Sequence, residues 1–330
     1  MKLKPINAAI ALSIAAGTAT FAANATEIDN ELVQRVGENV IITDESGETL
    51  IKAAGNQGNT IEDNDVLLGA LDFTTINSPL QGTENLTANR QLTGLFATQI
   101  VSQTDTGSDS TSAGGTTFNI IDFDMGAAGA VFWTTNFAGI DTLVDNTFGA
   151  GTWASVGGST MGFLFDDSRN TGTIFDRTGG LSELADASDG LLRAIVGFSD
   201  VDDYWIARGP DDVTAFGTGS TLEELGGFAF GLSFLAENFA VDFADTVPAP
   251  EGLGFIGSPY APNPNPDVQF FGNGDLLARG SVPGQGDFAV YNRVDVTVAP
   301  TAVPEPGVLA LASIGLIGLG AARRRKFGTA

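Results

Sequence analysis

FAFGLSFLAENFAVDF, residues 228–243, decides the fold. Phe228, Phe230, Leu232 and Phe234 fall on every second position with smaller residues between them, the period of a strand with one face in a core. After Glu237 and Asn238 the phase slips by one, to Phe239, Val241 and Phe243, as a bulge or tight turn makes it slip. The same alternation returns near the end of the chain. Phe288, Val290, Val294, Val296 and Val298 share one face, with Tyr291, Arg293, Asp295 and Thr297 on the other. Between the two, residues 268–271, Gly272-Asn273-Gly274 and residues 276–278 read as a hairpin, because Asn-Gly supplies the positive φ angles of a primed turn.

Earlier strands are expected at 40–43, 50–53, 67–74, 92–102, 117–123, 131–136, 160–165 and 191–198, separated by turn signals. Only 181–187 and 222–225 read as helical, and both are short. Glycine, 43 of 330 residues, stands near twice its usual share of about 7%, which favours turns over long helices. No fixed-period repeat points to a solenoid or propeller. The expected fold is all-β, an antiparallel β-sandwich of jelly-roll type, occupying residues 26–302 as one body. Residues 104–116, rich in Ser, Thr, Gly and Asp, read as a long loop, and 248–266, with six prolines, as an extended excursion.

The chain has no histidine and no cysteine. That excludes Ser-His-Asp and Cys-His nucleophilic machinery, Cys- or His-ligated zinc, and disulfides, so stability must come from packing. Residues 26–306 hold 9 basic and 40 acidic residues, a net charge of −31. Such a polyanion repels nucleic acid and stays dispersed in water.

The two ends read as addresses. Lys2 and Lys4, an apolar stretch over 8–16 and Ala23-Asn24-Ala25 follow the layout of a secretory signal peptide over residues 1–25. At the other end, Val303-Pro304-Glu305-Pro306 precedes a charge-free run over 307–322 and then Arg323, Arg324, Arg325 and Lys326. As a helix that run spans about 24 Å against a bilayer core of roughly 30 Å, a shortfall that snorkelling arginines and local thinning absorb. The basic cluster holds its end on the cytoplasmic side and places the body outside.

This tail, over residues 303–330, resembles that of the PEP-CTERM class of exported bacterial proteins. The resemblance implies export by Sec-type machinery, recognition of Pro304, Glu305 and Pro306 by an exosortase, and orientation by Arg323 to Arg325. It also implies a C-terminal transmembrane helix held transiently in the inner membrane of a Gram-negative bacterium, delivery to the cell surface or outside, and association with exopolysaccharide and biofilm. It covers less than a tenth of the chain.

Within the body, Asp166, Asp167, Asn170 and Asp176 form an oxygen-rich stretch of the kind calcium prefers, although the EF-hand pattern fails at Thr171 and Arg177. Asp202 and Asp203 beside Tyr204 and Trp205 combine acids with aromatic planes, as sugar recognition does. An enzyme here would have to work with carboxylates alone, as glycosidases do. Adjacent pairs such as Asp166-Asp167 point to opposite faces of a strand, so no catalytic residue is assigned. The reading is a non-catalytic, cofactor-free surface or matrix protein. A calcium-assisted carbohydrate-binding adhesin and a carboxylate-only glycoside hydrolase or lyase stand as the alternatives.

Overall fold

The computed structural model describes residues 27–86, 91–113, 116–167, 184–201, 203–217, 224–244, 268–277 and 290–303. The signal-peptide reading, the 248–266 excursion, Pro304 to Pro306 and the expected transmembrane helix lie outside them. Among the described residues no helix is long and apolar enough to cross a membrane.

The chain begins with α1 (Glu27–Gln34), β1 (Val40–Ile51), β2 (Val66–Ser78), β3 (Gly82–Asn85), β4 (Leu92–Ala113) and β5 (Thr116–Ala127). Three short helices follow, α2 (Ala130–Asn136), α3 (Ile140–Phe148) and α4 (Thr152–Val156). Then come β6 (Thr160–Asp166), β7 (Leu191–Gly197), β8 (Tyr204–Pro210), β9 (Glu224–Glu237), β10 (Asp242–Phe243), β11 (Phe270–Leu277), β12 (Val290–Val298) and β13 (Pro300–Thr301). All strand pairings are antiparallel.

The body is all-β, but it is a barrel and not the expected sandwich. Strand β2 pairs with β1 on one edge and with β4 on the other, Val66 opposite Gln99 through Phe73 opposite Leu92, and this pairing closes the sheet. Around the ring run β2, β1, β12, β11 and β9, and between β9 and β4 the wall forks. On one level β7 and β6 fill the gap, pairing with β9 at 233–237 and β4 at 92–96. On the other level β8 and β5 fill it, pairing with β9 at 227–231 and β4 at 98–113. Eight strands close the barrel at either level, a number whose interior is filled by side chains or holds one small ligand. Register shifts at Ile100/Ser102 on β4 and Thr160/Gly162 on β6 fall at the fork, where the strands must bend apart.

Every second residue points into the lumen. Phe228, Phe230 and Leu232 of β9 and Val290, Val294, Val296 and Val298 of β12 line it, as their alternation predicts. Trp205 of β8 stacks on Phe230 at 4.5 Å, on Phe96 at 5.7 Å and on Phe228 at 6.0 Å. Loops and a helix plug both ends. Ile28 and Leu32 of α1 close the end where β1 begins, anchored by the Asp29 carboxylate, which accepts from the Arg193 guanidinium and from the Ala240 amide. Ile61, Ala215 and Phe216 close the other. There Lys52 Nζ donates to Asp65 at 2.6 Å and to Glu62 at 2.9 Å, fixing the loop that carries Ile61. Burial would raise the Asp65 carboxyl, but the hydrogen bonds from Lys52, Ala53, Asn56 and Glu62 overrule it and hold it below the usual range.

A second core lies on the outer face. The helices after β5 cover β2, β4, β6 and β7, with Trp133 of α2, Phe137 just after it and Val144 of α3 packed on Phe163, Phe165 and Leu95. Residues 131–136 are therefore helix and not strand, because one stripe of α2 has an apolar sheet face to bury against.

Two more expectations change. Gly272-Asn273-Gly274 is no turn but the middle of β11. A Cβ on Gly272 would lie 2.3 Å from the Phe230 ring, and one on Gly274 would lie 2.2 Å from the Arg293 carbonyl oxygen of β12 and 2.9 Å from the Phe228 ring, so these glycines make room for neighbouring strands. Residues 104–113 continue β4 and pair with β5, with Thr111 opposite Phe118, while residues 114–115 lie outside the described residues. Of the expected helices, residues 224–225 open β9 and residues 186–188 form one short 3-10 turn, while 181–183 and 222–223 lie outside the described residues.

Candidate functional site

The lumen carries a polar row within its apolar lining. In β1, residues 40, 42, 44, 46 and 48 share parity, so Ser46 and Glu48 point inward with Val40 and Ile42. Asn292 interrupts the valines of β12 and lies directly opposite Ser46 in the register. Ser46 Oγ donates to Asn292 Oδ1, and Asn292 Nδ2 donates to Glu48 Oε1. All three side chains are buried.

Glu48 is the end of this chain. Burial pushes its carboxyl up to about 8, with the hydrogen bond from Asn292 recovering part of the shift. At pH 7 it is mainly the neutral acid, a hydrogen-bond donor. It faces a cavity with about 30 Å³ open to the centre of a water-sized sphere, walled by Leu67, Ile100, Phe123, Met125, Trp205 and Phe228. Thr98 lines the same space, and its Oγ1 has no hydrogen-bond partner among the described residues. Among the described residues, Glu48 is the only ionisable group in that lining. A smaller cavity of about 20 Å³ by the same measure lies further along the lumen, bordered by Ser46 and Asn292. Trp205 and Phe228 border both and form the partition between them.

The residues singled out for sugar contact do not share a surface. Asp203 turns into the β7–β8 connection, where its carboxylate accepts from the Ser199 amide at 2.5 Å and from Ser233 Oγ at 3.0 Å; burial raises it. Tyr204 is half-buried on the outer side against Val268 and Phe271, and burial pushes its hydroxyl up to about 12. Trp205, next in the strand, points the opposite way into the lumen and is 7% exposed. Asp202 lies outside the described residues. Of the calcium candidates, Asp166 and Asp167 are buried at the end of β6, and Asn170 and Asp176 lie outside the described residues. Among the described residues no group of three or more acidic side chains is arranged to hold a metal ion.

Sequence reasoning missed Ser46, Glu48, Thr98 and Asn292. A signal existed for Asn292, a lone amide at even parity between Val290 and Val294. None existed for Glu48, because Asp44-Glu45-Ser46-Gly47-Glu48 carries the composition of a turn.

The C-terminal address is confirmed by comparison. Residues 302–326 match the PEP-CTERM protein-sorting motif. The chain thus carries the tail of an exported protein sorted by an exosortase. No curated protein and no solved structure matches the chain.

Proposed function

We propose that the barrel is the cargo of this sorting route and acts at the cell surface or in the extracellular matrix, beside exopolysaccharide, by structure or binding and not by catalysis. One observation carries the reading. The last strand, β13, ends at Thr301, and the sorting motif begins at residue 302, so recognition of the tail delivers the whole closed barrel. Pro304, Glu305 and Pro306 serve recognition, and Arg323 to Arg325 hold the tail's end in the cytoplasm while the inner-membrane helix waits for processing. The acidic surface supports dispersal among like-charged polysaccharide.

The test is a tagged chain expressed in a Gram-negative host that has an exosortase, with and without residues 303–306. The intact chain should lose its C-terminal segment, reach the surface and sediment with exopolysaccharide. The deletion should stay at the inner membrane with its C-terminus uncut. Identical fates for both would overturn the reading.

A further inference from the structure

We infer that the barrel lumen is a binding site for a small uncharged ring compound bearing one hydrogen-bond acceptor, seated against Trp205 and Phe228 with its acceptor on the Glu48 carboxyl. A lumen whose sole task is to be packed has no use for Glu48, because burying a polar group without full hydrogen bonding costs free energy that a leucine there would not. Ser46 and Asn292 are arranged in line to hold that carboxyl, and they occupy only Oε1. No other hydrogen bond reaches it among the described residues. Oε2 is left for the occupant of the cavity, as is the unpartnered Thr98 hydroxyl. Two donors and an otherwise apolar lining select for an acceptor on an apolar body, such as a ring nitrogen or a carbonyl oxygen.

Size narrows the class further. The cavity gives about 30 Å³ to the centre of a water-sized sphere, more than the roughly 10–15 Å³ that a single water needs, so its occupant is small. The aromatic wall favours a flat ring, which can lie offset against the indole. Cations are disfavoured, since seating one would require ionising Glu48 in an apolar enclosure. The entrance is the end plugged by Ile61 and Phe216, which belong to connections between strands and can part without opening the wall.

The inference is independent of where the protein is sorted, and its test uses no export machinery. Fluorine NMR of 3-fluoropyridine and of fluorobenzene, two probes of matched size, is recorded with the full chain in lipid nanodiscs. 3-Fluoropyridine should bind about tenfold more tightly than fluorobenzene, the difference a hydrogen bond makes in an apolar site. Glu48→Leu should erase that preference while retaining fluorobenzene binding. Thr98→Val should reduce the preference by a smaller factor. Ala207→Leu, which fills the cavity, should abolish binding of both and so separates it from partitioning into lipid. Thermal melts establish that each variant is folded, and Thr98→Leu serves as a second filler. The inference fails if neither probe binds the wild-type chain, if a folded filled variant binds as the wild type does, or if the preference survives in folded Glu48→Leu.

Discussion

The molecule has two tryptophan-centred cores, and they are built differently. Outside the barrel, Trp133 is fully buried, donates from Nε1 to the Thr160 carbonyl at 3.1 Å and meets Phe163 edge-on at 4.7 Å. Inside, Trp205 stacks among Phe96, Phe228 and Phe230 and separates two cavities, one of which holds a neutral carboxyl. The outer core fastens helices to a sheet. The inner one encloses space and places chemistry in it. A barrel permits this division because its lumen is walled by strands, whereas its outer face becomes a core only where other elements cover it.

The sharpest way to break the comparison is through pH. Glu48 is raised from 4.5 to about 8 in the folded chain, so the folded state holds a proton that the unfolded state releases. The stability this gives is full below pH 4.5 and is lost as pH rises toward 8. Between pH 5 and 8 the loss should be on the order of 3 kcal/mol, read by urea unfolding. Glu237, raised to about 7 by burial and by the charge of Asp242, adds to the loss in the same window. Glu48→Gln should remove the Glu48 share and leave the Glu237 share. Equal pH slopes in wild type and Glu48→Gln would show that the lumen is not the enclosed environment described.

Next in size, the two tryptophans should respond differently to the same change. Trp133→Phe leaves the buried Thr160 carbonyl without its donor and opens space in a close-packed core, costing about 2–4 kcal/mol. Trp205→Phe borders space that already exists and should cost about 1–2 kcal/mol. Its larger effect should be on the 3-fluoropyridine affinity, which Trp133→Phe should leave unchanged. Equal costs with equal loss of binding would erase the distinction between the cores.

The strands that carry large apolar residues at period two, β9 and β12, were legible because their pattern reports burial directly. Closure was not. The inward and outward alternation is the same for a sandwich and a barrel, and what separates them is the long-range pairing of β2 with β4. Val131 to Asn136 carries β-branched and aromatic residues yet forms α2, because tertiary burial overrides a weak local preference. Gly272 and Gly274 mislead for a different reason, since they leave space for a ring and a backbone carbonyl of neighbouring strands and no local signal encodes that. The polar row was hidden likewise, because in β1 the inward face is partly charged and reads as a loop. The sorting motif of the tail was legible, since such a motif must be recognisable as a linear stretch.

The account rests on the pairing that turns the sheet into a ring, and the absence of native cysteine makes it directly testable. Val66 and Gln99 are direct cross-strand partners at the β2–β4 seam, where opposed Cα atoms lie within the span of a disulfide. In the double variant Val66→Cys with Gln99→Cys, mild oxidation should form the bond nearly completely without lowering the melting temperature. Thiols that remain free in the folded chain would mean that β2 and β4 are separate edges and that there is no enclosed lumen.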